Sequence, residues 1–189
     1  MTTNSNDNPI NKIETIDQAQ TDMCKSYANG SVGIIASGIM WLISAIIVSQ
    51  MSTKQGIWAL LIGGMFIHPL SIILGKLIGV SGAHTKGNPL GNLAMESTIL
   101  MLMCIPLAVG LSLSHPAWFF QGMLMIIGGR YLTFATIYGK KQYWILGAML
   151  GIASFLLFTF NAQPFSSALT GSLIEIVFGV YMYVSFRKE

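Results

Sequence analysis

Gly128–Lys141 reads GGRYLTFATIYGKK. The stretch is largely apolar, ends in a lysine pair and carries an arginine, Arg130, nine residues before Gly139. As helix, at ~1.5 Å per residue, this sets Arg130 about 13 Å below the boundary marked by the lysines. A charge at that depth in hydrocarbon is costly unless it is paired or hydrated. The segment therefore reads as the inner half of a transmembrane helix, and the remaining chain must supply Arg130 with a partner.

The composition agrees with a membrane setting. Of 189 residues 53% are hydrophobic and 9% charged, with a mean hydropathy of +0.64. A water-soluble domain carries about 25% charged residues, so lipid must solvate much of this surface. A net charge of +3, spread along the chain, is too small and scattered to point to nucleic acid, and no nucleic-acid partner is expected. Cys24 and Cys104 lie far apart, so neither a disulfide framework nor a cysteine metal site is expected. Met1–Asn29 is polar, without the apolar run of a signal peptide.

Residues 1–28 are expected to form a polar cytoplasmic N-terminal tail, disordered over 1–11, with weak helical spacing of Ile13, Ile16, Met23 and Tyr27 over 12–28. Residues 29–189 form the membrane domain. Six apolar runs, at about 31–51, 57–79, 93–113, 117–138, 143–162 and 165–186, each approach the ~20 residues a spanning helix needs. The fold class is all-α, a bundle of six transmembrane helices. With six spans, Lys12, Lys25, Lys76, Lys86, Lys140, Lys141, Arg187 and Lys188 fall on one side and Lys54 alone on the other. That bias places both termini in the cytoplasm, which also sets aside the sequon Asn29-Gly30-Ser31. Pro69 and Pro106 lie inside runs and should kink them. Gly147-xxx-Gly151, Gly33-xxx-Ser37 and Gly171-xxx-Glu175-xxx-Gly179 are candidate close-packing seams.

The ionisable groups inside the runs sort by depth. Arg130 and Glu175 fall near the midplane, with His68 at similar depth. Lys76 and Glu96 lie about 6 Å from the cytoplasmic edge. The signs match within each layer, so Arg130 is expected to pair with Glu175 and Lys76 with Glu96, with Asn92 supporting Glu96. Each has a plainer reading: an Arg–Glu pair fixes helix register, Lys76 snorkels to the interface, and His68 packs before its proline. The twelve methionines are filler rather than a metal path.

Catalytic motifs are missing. No P-loop, GxGxxG, HExxH, CxxC or GxSxG occurs, and no aspartate lies in any run. No catalytic residue, metal or cofactor is expected, and the motifs leave open whether the chain is an enzyme.

Four stretches together resemble a known family: GGMFIHPL (Gly63–Leu70), KGNPLGNLAMEST (Lys86–Thr98), GGRYLTFATIYG (Gly128–Gly139) and Ile174-Glu175. In this order, across residues 25–185, they resemble a family of uncharacterised bacterial integral membrane proteins catalogued as a domain of unknown function. The resemblance implies a bacterial inner-membrane location and brings no activity. It draws attention to His68, Asn88, Glu96, Arg130 and Glu175.

Three functional readings follow. The first is a small permease or channel whose midplane site uses Arg130, Glu175 and His68 for a small anionic or proton-coupled solute. The binding candidates are then Arg130, Glu175, His68, Glu96, Lys76 and Asn88. The second is an accessory or scaffold protein whose buried charges only lock helices together. The third is a membrane enzyme built on the cytoplasmic loop Val80–Asn92 around Lys86, Asn88 and Glu96. The lipid bilayer is the expected surrounding. Six short helices enclose little space, so a transporter of this size is expected to work as a homo-oligomer.

Overall fold

The computed structural model describes residues 15–189, which contain seven α-helices and no strand. The expected disorder of residues 1–11, and Lys12 and Ile13, lie outside them. α1 spans Ile16–Tyr27, and a short 3-10 turn (Ala28–Gly30) joins it to α2 (Ser31–Gln50). Then follow α3 (Thr53–Leu77), α4 (Pro89–Ser114), α5 (Pro116–Tyr138), α6 (Gln142–Thr159) and α7 (Pro164–Lys188).

Five helical stretches are long and apolar enough to cross a membrane: the Ile16–Gln50 run, whose apolar part is α2, then α3, α4, α6 and α7. α5 has the length but a lower mean hydropathy, because Gln121 and Arg130 interrupt it. Its position explains why it tolerates them. α5 packs against α4 and α6 over most of its length, and also touches α3 and α7. A helix sheltered on several sides meets little lipid, and so needs less apolar surface than a peripheral one.

The ends of the helices follow recognisable signals. Thr15 caps α1 in a reciprocal box with Gln18, and Ser52 caps α3. Pro89, Pro116 and Pro164 each occupy the first turn of a helix, where the missing N–H has no partner to lose. Pro69 and Pro106 remain inside α3 and α4.

α2 packs mainly on α7 and α3, α5 on α6 and α4. The seams close through small residues. A Cβ built at Gly179 would lie 3.0 Å from the backbone nitrogen of Ile35, and one at Gly38 3.0 Å from that of Ile176. Gly128 and Gly147 approach backbone to backbone across α5 and α6. The expected seam at Gly33 does not form, since nothing lies within 4 Å of a Cβ there. Gly38, five residues on and about 140° round the helix, makes the close approach instead.

One end of the bundle gathers α1, the loop between α3 and α4, the α5–α6 turn and the end of α7. Lys140 binds Glu189 at 2.6 Å. Gln20 donates to the Thr136 carbonyl at 2.7 Å, and the Cys24 thiol to that of Tyr138 at 3.2 Å. α1 is thus docked on the bundle rather than trailing from it.

Candidate functional site

Glu175 is the residue whose surroundings depart most from ordinary packing. It stands eleven residues into the twenty-five of α7, about 16 Å along its axis. It is 0% exposed. Gly171, Ser172 and Gly179 share its face and let α2 approach, and the Ser172 hydroxyl donates to the Gly38 carbonyl at 3.0 Å. One carboxylate oxygen accepts a hydrogen bond from the Tyr131 hydroxyl at 3.1 Å. The other is buried with no hydrogen-bond partner among the described residues. Ser37 of α2 stands beside both the carboxyl and the Tyr131 hydroxyl as a hydrogen-bonding side chain. A fully buried carboxyl answered only by neutral hydroxyls carries a large desolvation cost, which marks this position as more than filler.

Arg130 does not close on Glu175. Its guanidinium donates to the Thr98 hydroxyl at 3.0 Å and approaches the Met101 sulfur at 3.8 Å, both on α4. It also lies over the Phe134 ring, 5.0 Å from the centroid. Its Nε is buried without a hydrogen-bond partner among the described residues. Among the described residues the ion pair formed is Lys140–Glu189, so the expected Arg130–Glu175 bridge is absent. The reason is helical geometry. Successive residues point about 100° apart around a helix. Leu124 and Tyr131, seven residues apart, both face α7, which turns Arg130 toward α4 along with Gly122, whose Cβ position meets Ala108 and Leu111. Arg130 still exerts an electrostatic pull on Glu175. Acid and base therefore share one layer of the bundle while each is bound by a neutral neighbour.

An aromatic column leads from this layer toward the α1 end. Tyr131 stacks on Tyr143, with centroids 6.1 Å apart, and Tyr143 on Tyr138 at 5.4 Å, with Phe134 edge-on to all three. Tyr143 donates to the Asn29 carbonyl at 2.7 Å. Tyr138 then lines an open pocket of about 500 Å³, together with Cys24, Lys25, Lys140 and Glu189.

The other candidates separate from this layer. His68 is exposed on α3, as are Lys76 at its end and Glu96 on α4. No bond joins Lys76 to Glu96 among the described residues, because α3 and α4 scarcely touch each other. Asn92 is also exposed and does not support Glu96. Asn88 is 4% exposed and has a structural task. It caps α4 by accepting from the Leu90 N–H at 3.0 Å, and donates to the Ala19 carbonyl at 3.0 Å and to Asp22 at 2.7 Å. Asp22 also accepts from the backbone N–H and hydroxyl of Thr85. Burial pushes the Asp22 carboxyl up, but these hydrogen bonds outweigh it and hold the group below its ordinary value of 3.8. The Tyr27 hydroxyl and His84 meet at 2.9 Å beside it. The loop is a fastening for α1, and Glu96 does not converge on it.

A family model of unknown function, DUF7010, matches residues 16–185. The chain belongs to this family. The DUF7010 match begins at the first residue of α1, so the docked helix is part of the family's domain, nine residues ahead of the resemblance over 25–185. No curated protein and no solved structure matches the chain.

The residues that sequence reasoning missed are Tyr131, Ser37, Thr98 and Asp22. Tyr131 had a signal: it follows Arg130 directly, and in a helix only one of two neighbours can face a given partner.

Proposed function

We propose that this chain is a multi-pass protein of the bacterial inner membrane, crossing six times with both termini cytoplasmic, and that it works as a small proton-coupled permease. α5 is the sixth span, sheltered by its neighbours. The excess of lysine and arginine at the α1 end supports the orientation. The observation that carries the activity is the state of Glu175: fully buried at mid-helix, beside the Tyr131 and Ser37 hydroxyls, with no cation closed on it among the described residues. A charge pair that only locked helices would be closed, since an unanswered buried charge destabilises the fold. A carboxyl poised between the Tyr131 and Ser37 hydroxyls, without a cation closed on it, suits a group that gains and loses a proton as solute passes. Arg130, separately held by Thr98, supplies the positive charge for an anionic solute. The column Tyr131–Tyr143–Tyr138 joins the layer to the cytoplasmic pocket.

The test is proton flux into liposomes holding the purified protein and a trapped pH dye, under an imposed pH gradient. The wild type should carry protons faster than protein-free liposomes, and Glu175→Gln should fall to their rate. Wild-type flux equal to that of empty liposomes would leave the accessory reading. The close backbone packing of α2 on α7 around Glu175 at Gly38 and Gly179 is the observation that favours that second reading.

A further inference from the structure

α3 and α4 are the least covered helices of the bundle. Only 6% of the apolar stretch of α3 and 11% of that of α4 is buried within the chain, against 28% for α6 and α7. Both touch α5, yet they scarcely touch each other, so they form the two flanks of one open side. Lipid can cover the apolar residues there, such as Met65 and Phe66 on α3 or Met95 and Leu100 on α4. It cannot comfortably cover Glu96 and His68, both exposed on these flanks and bonded through their side chains to none of the described residues.

α4 begins at Pro89 rather than at 93, which sets Glu96 deeper than its apolar run indicated and close to the level of His68. α3 ends and α4 begins at the same end of the bundle. His68 lies nine residues before Leu77 and Glu96 seven after Pro89, or about 13 Å and 10 Å from that end. They carry complementary chemistry, an imidazole and a carboxylate. Lys76, exposed at the end of α3, adds positive charge on the His68 side. Gly64, one turn before His68, is exposed, with nothing within 4 Å of a Cβ built there. A small residue at that place lets a second helix come close in a membrane.

We propose that two copies of this chain pair face to face through α3 and α4, with His68 of each copy against Glu96 of the other. A two-fold axis between the flanks makes both contacts at once, because in such an interface each patch meets its own copy. The second copy gives Glu96 the partner that its own α3 is too far away to give. The pairing rests on the six-span reading and is independent of proton carriage by Glu175.

The experiment counts subunits. Fluorescently labelled protein is reconstituted at low density in vesicles of phosphatidylcholine and phosphatidylglycerol, and photobleaching steps are scored for the wild type, Glu96→Leu, His68→Leu and Gly64→Leu. The wild type should bleach in two steps. Each variant should lower the dimer fraction at least about tenfold, as expected when one side of a desolvated pair is removed or a close approach is blocked. Thermal unfolding in detergent should be unchanged, since the replaced side chains bond nothing in their own chain. A second readout uses differently tagged His68→Cys and Glu96→Cys chains, both lacking Cys24 and Cys104. Mixed in one membrane and oxidised, they should form a disulfide joining the two tags. Single-step bleaching of the wild type, dimers that persist in Glu96→Leu and Gly64→Leu, or no mixed disulfide would each overturn the pairing.

Discussion

Replacing Asn88 with alanine should unfasten α1 from the bundle. Three hydrogen bonds are lost: the cap on Leu90 N–H, the bond to the Ala19 carbonyl and the bond to Asp22. Loss of an N-cap costs ~1 kcal/mol. The bond to the Asp22 carboxylate would be worth ~1.5 kcal/mol or more if fully buried, but Asp22 is partly exposed, and solvent screening brings this nearer ~1 kcal/mol. The Ala19 carbonyl stays inside α1 and keeps its helical N–H partner, so its loss adds little. The sum is about 2 kcal/mol, measured by reversible unfolding in mixed micelles. Asn88→Ala and Asp22→Ala combined should cost less than the sum of the two, by about 1 kcal/mol, because they share a bond. An Asn88→Ala loss under ~0.5 kcal/mol, the size of an ordinary surface change, or strict additivity, would refute the fastening.

The remaining predictions concern the same end of the bundle and the α2–α7 seam. Asp22 has a folded-state pKa below 3.8, so its contribution is present above that value and lost as the pH falls through the lower folded one. Hydrogen-exchange protection of α1 should therefore be flat down to about pH 4 and decline below it, and Asp22→Asn should remove the decline. Burial pushes the Cys24 thiol up to about 11. With Cys104 replaced by serine, alkylation of Cys24 at pH 8 should be at least about a hundredfold slower in the folded protein than in the unfolded chain, since the thiolate is the reacting form. Equal rates would show that α1 is undocked. Gly179→Ala pushes a Cβ against the α2 backbone at Ile35, whereas Gly33→Ala enters open space. The first should cost ~1–3 kcal/mol as overpacking does, and the second should be neutral or slightly stabilising by the helix propensity of alanine.

The helices were legible because lipid imposes a simple code. Apolar runs near twenty residues, separated at Ser52–Gly56, Val80–Asn92, Ser114–Pro116, Gly139–Gln142 and Gln163–Pro164, mark the elements to within a few residues. The gathering of basic residues at one end was legible for the same reason. α1 was read only weakly. Its stability comes from contacts with Thr85, Asn88, Thr136 and Tyr138, which lie more than sixty residues away and leave no local periodicity. Side-chain pairing was read wrongly in both layers, because depth gives the height of a residue in the membrane and says nothing of its bearing around the helix.

That bearing was nonetheless present in the sequence of α5. Gly128 faces α6, Leu124 and Tyr131 face α7, and Gly122 faces α4. Each direction is fixed by a small or large residue at the right interval of about 100° per residue. Given that Tyr131 must find a partner for its hydroxyl when buried, and that Glu175 is the acceptor on α7 at its level, Arg130 is forced toward α4. The arrangement then follows from one helix carrying adjacent groups of opposite task. Tyr131 donates to the acid, Arg130 is diverted from it, and the acid is left without a cation. Exchanging the order of the two residues, as Arg130→Tyr with Tyr131→Arg, would aim the arginine at α7 and close the ion pair. That variant should fold and lose the proton flux proposed for the wild type, and flux retained in it would show that the activity does not depend on Glu175 being free of an ion pair.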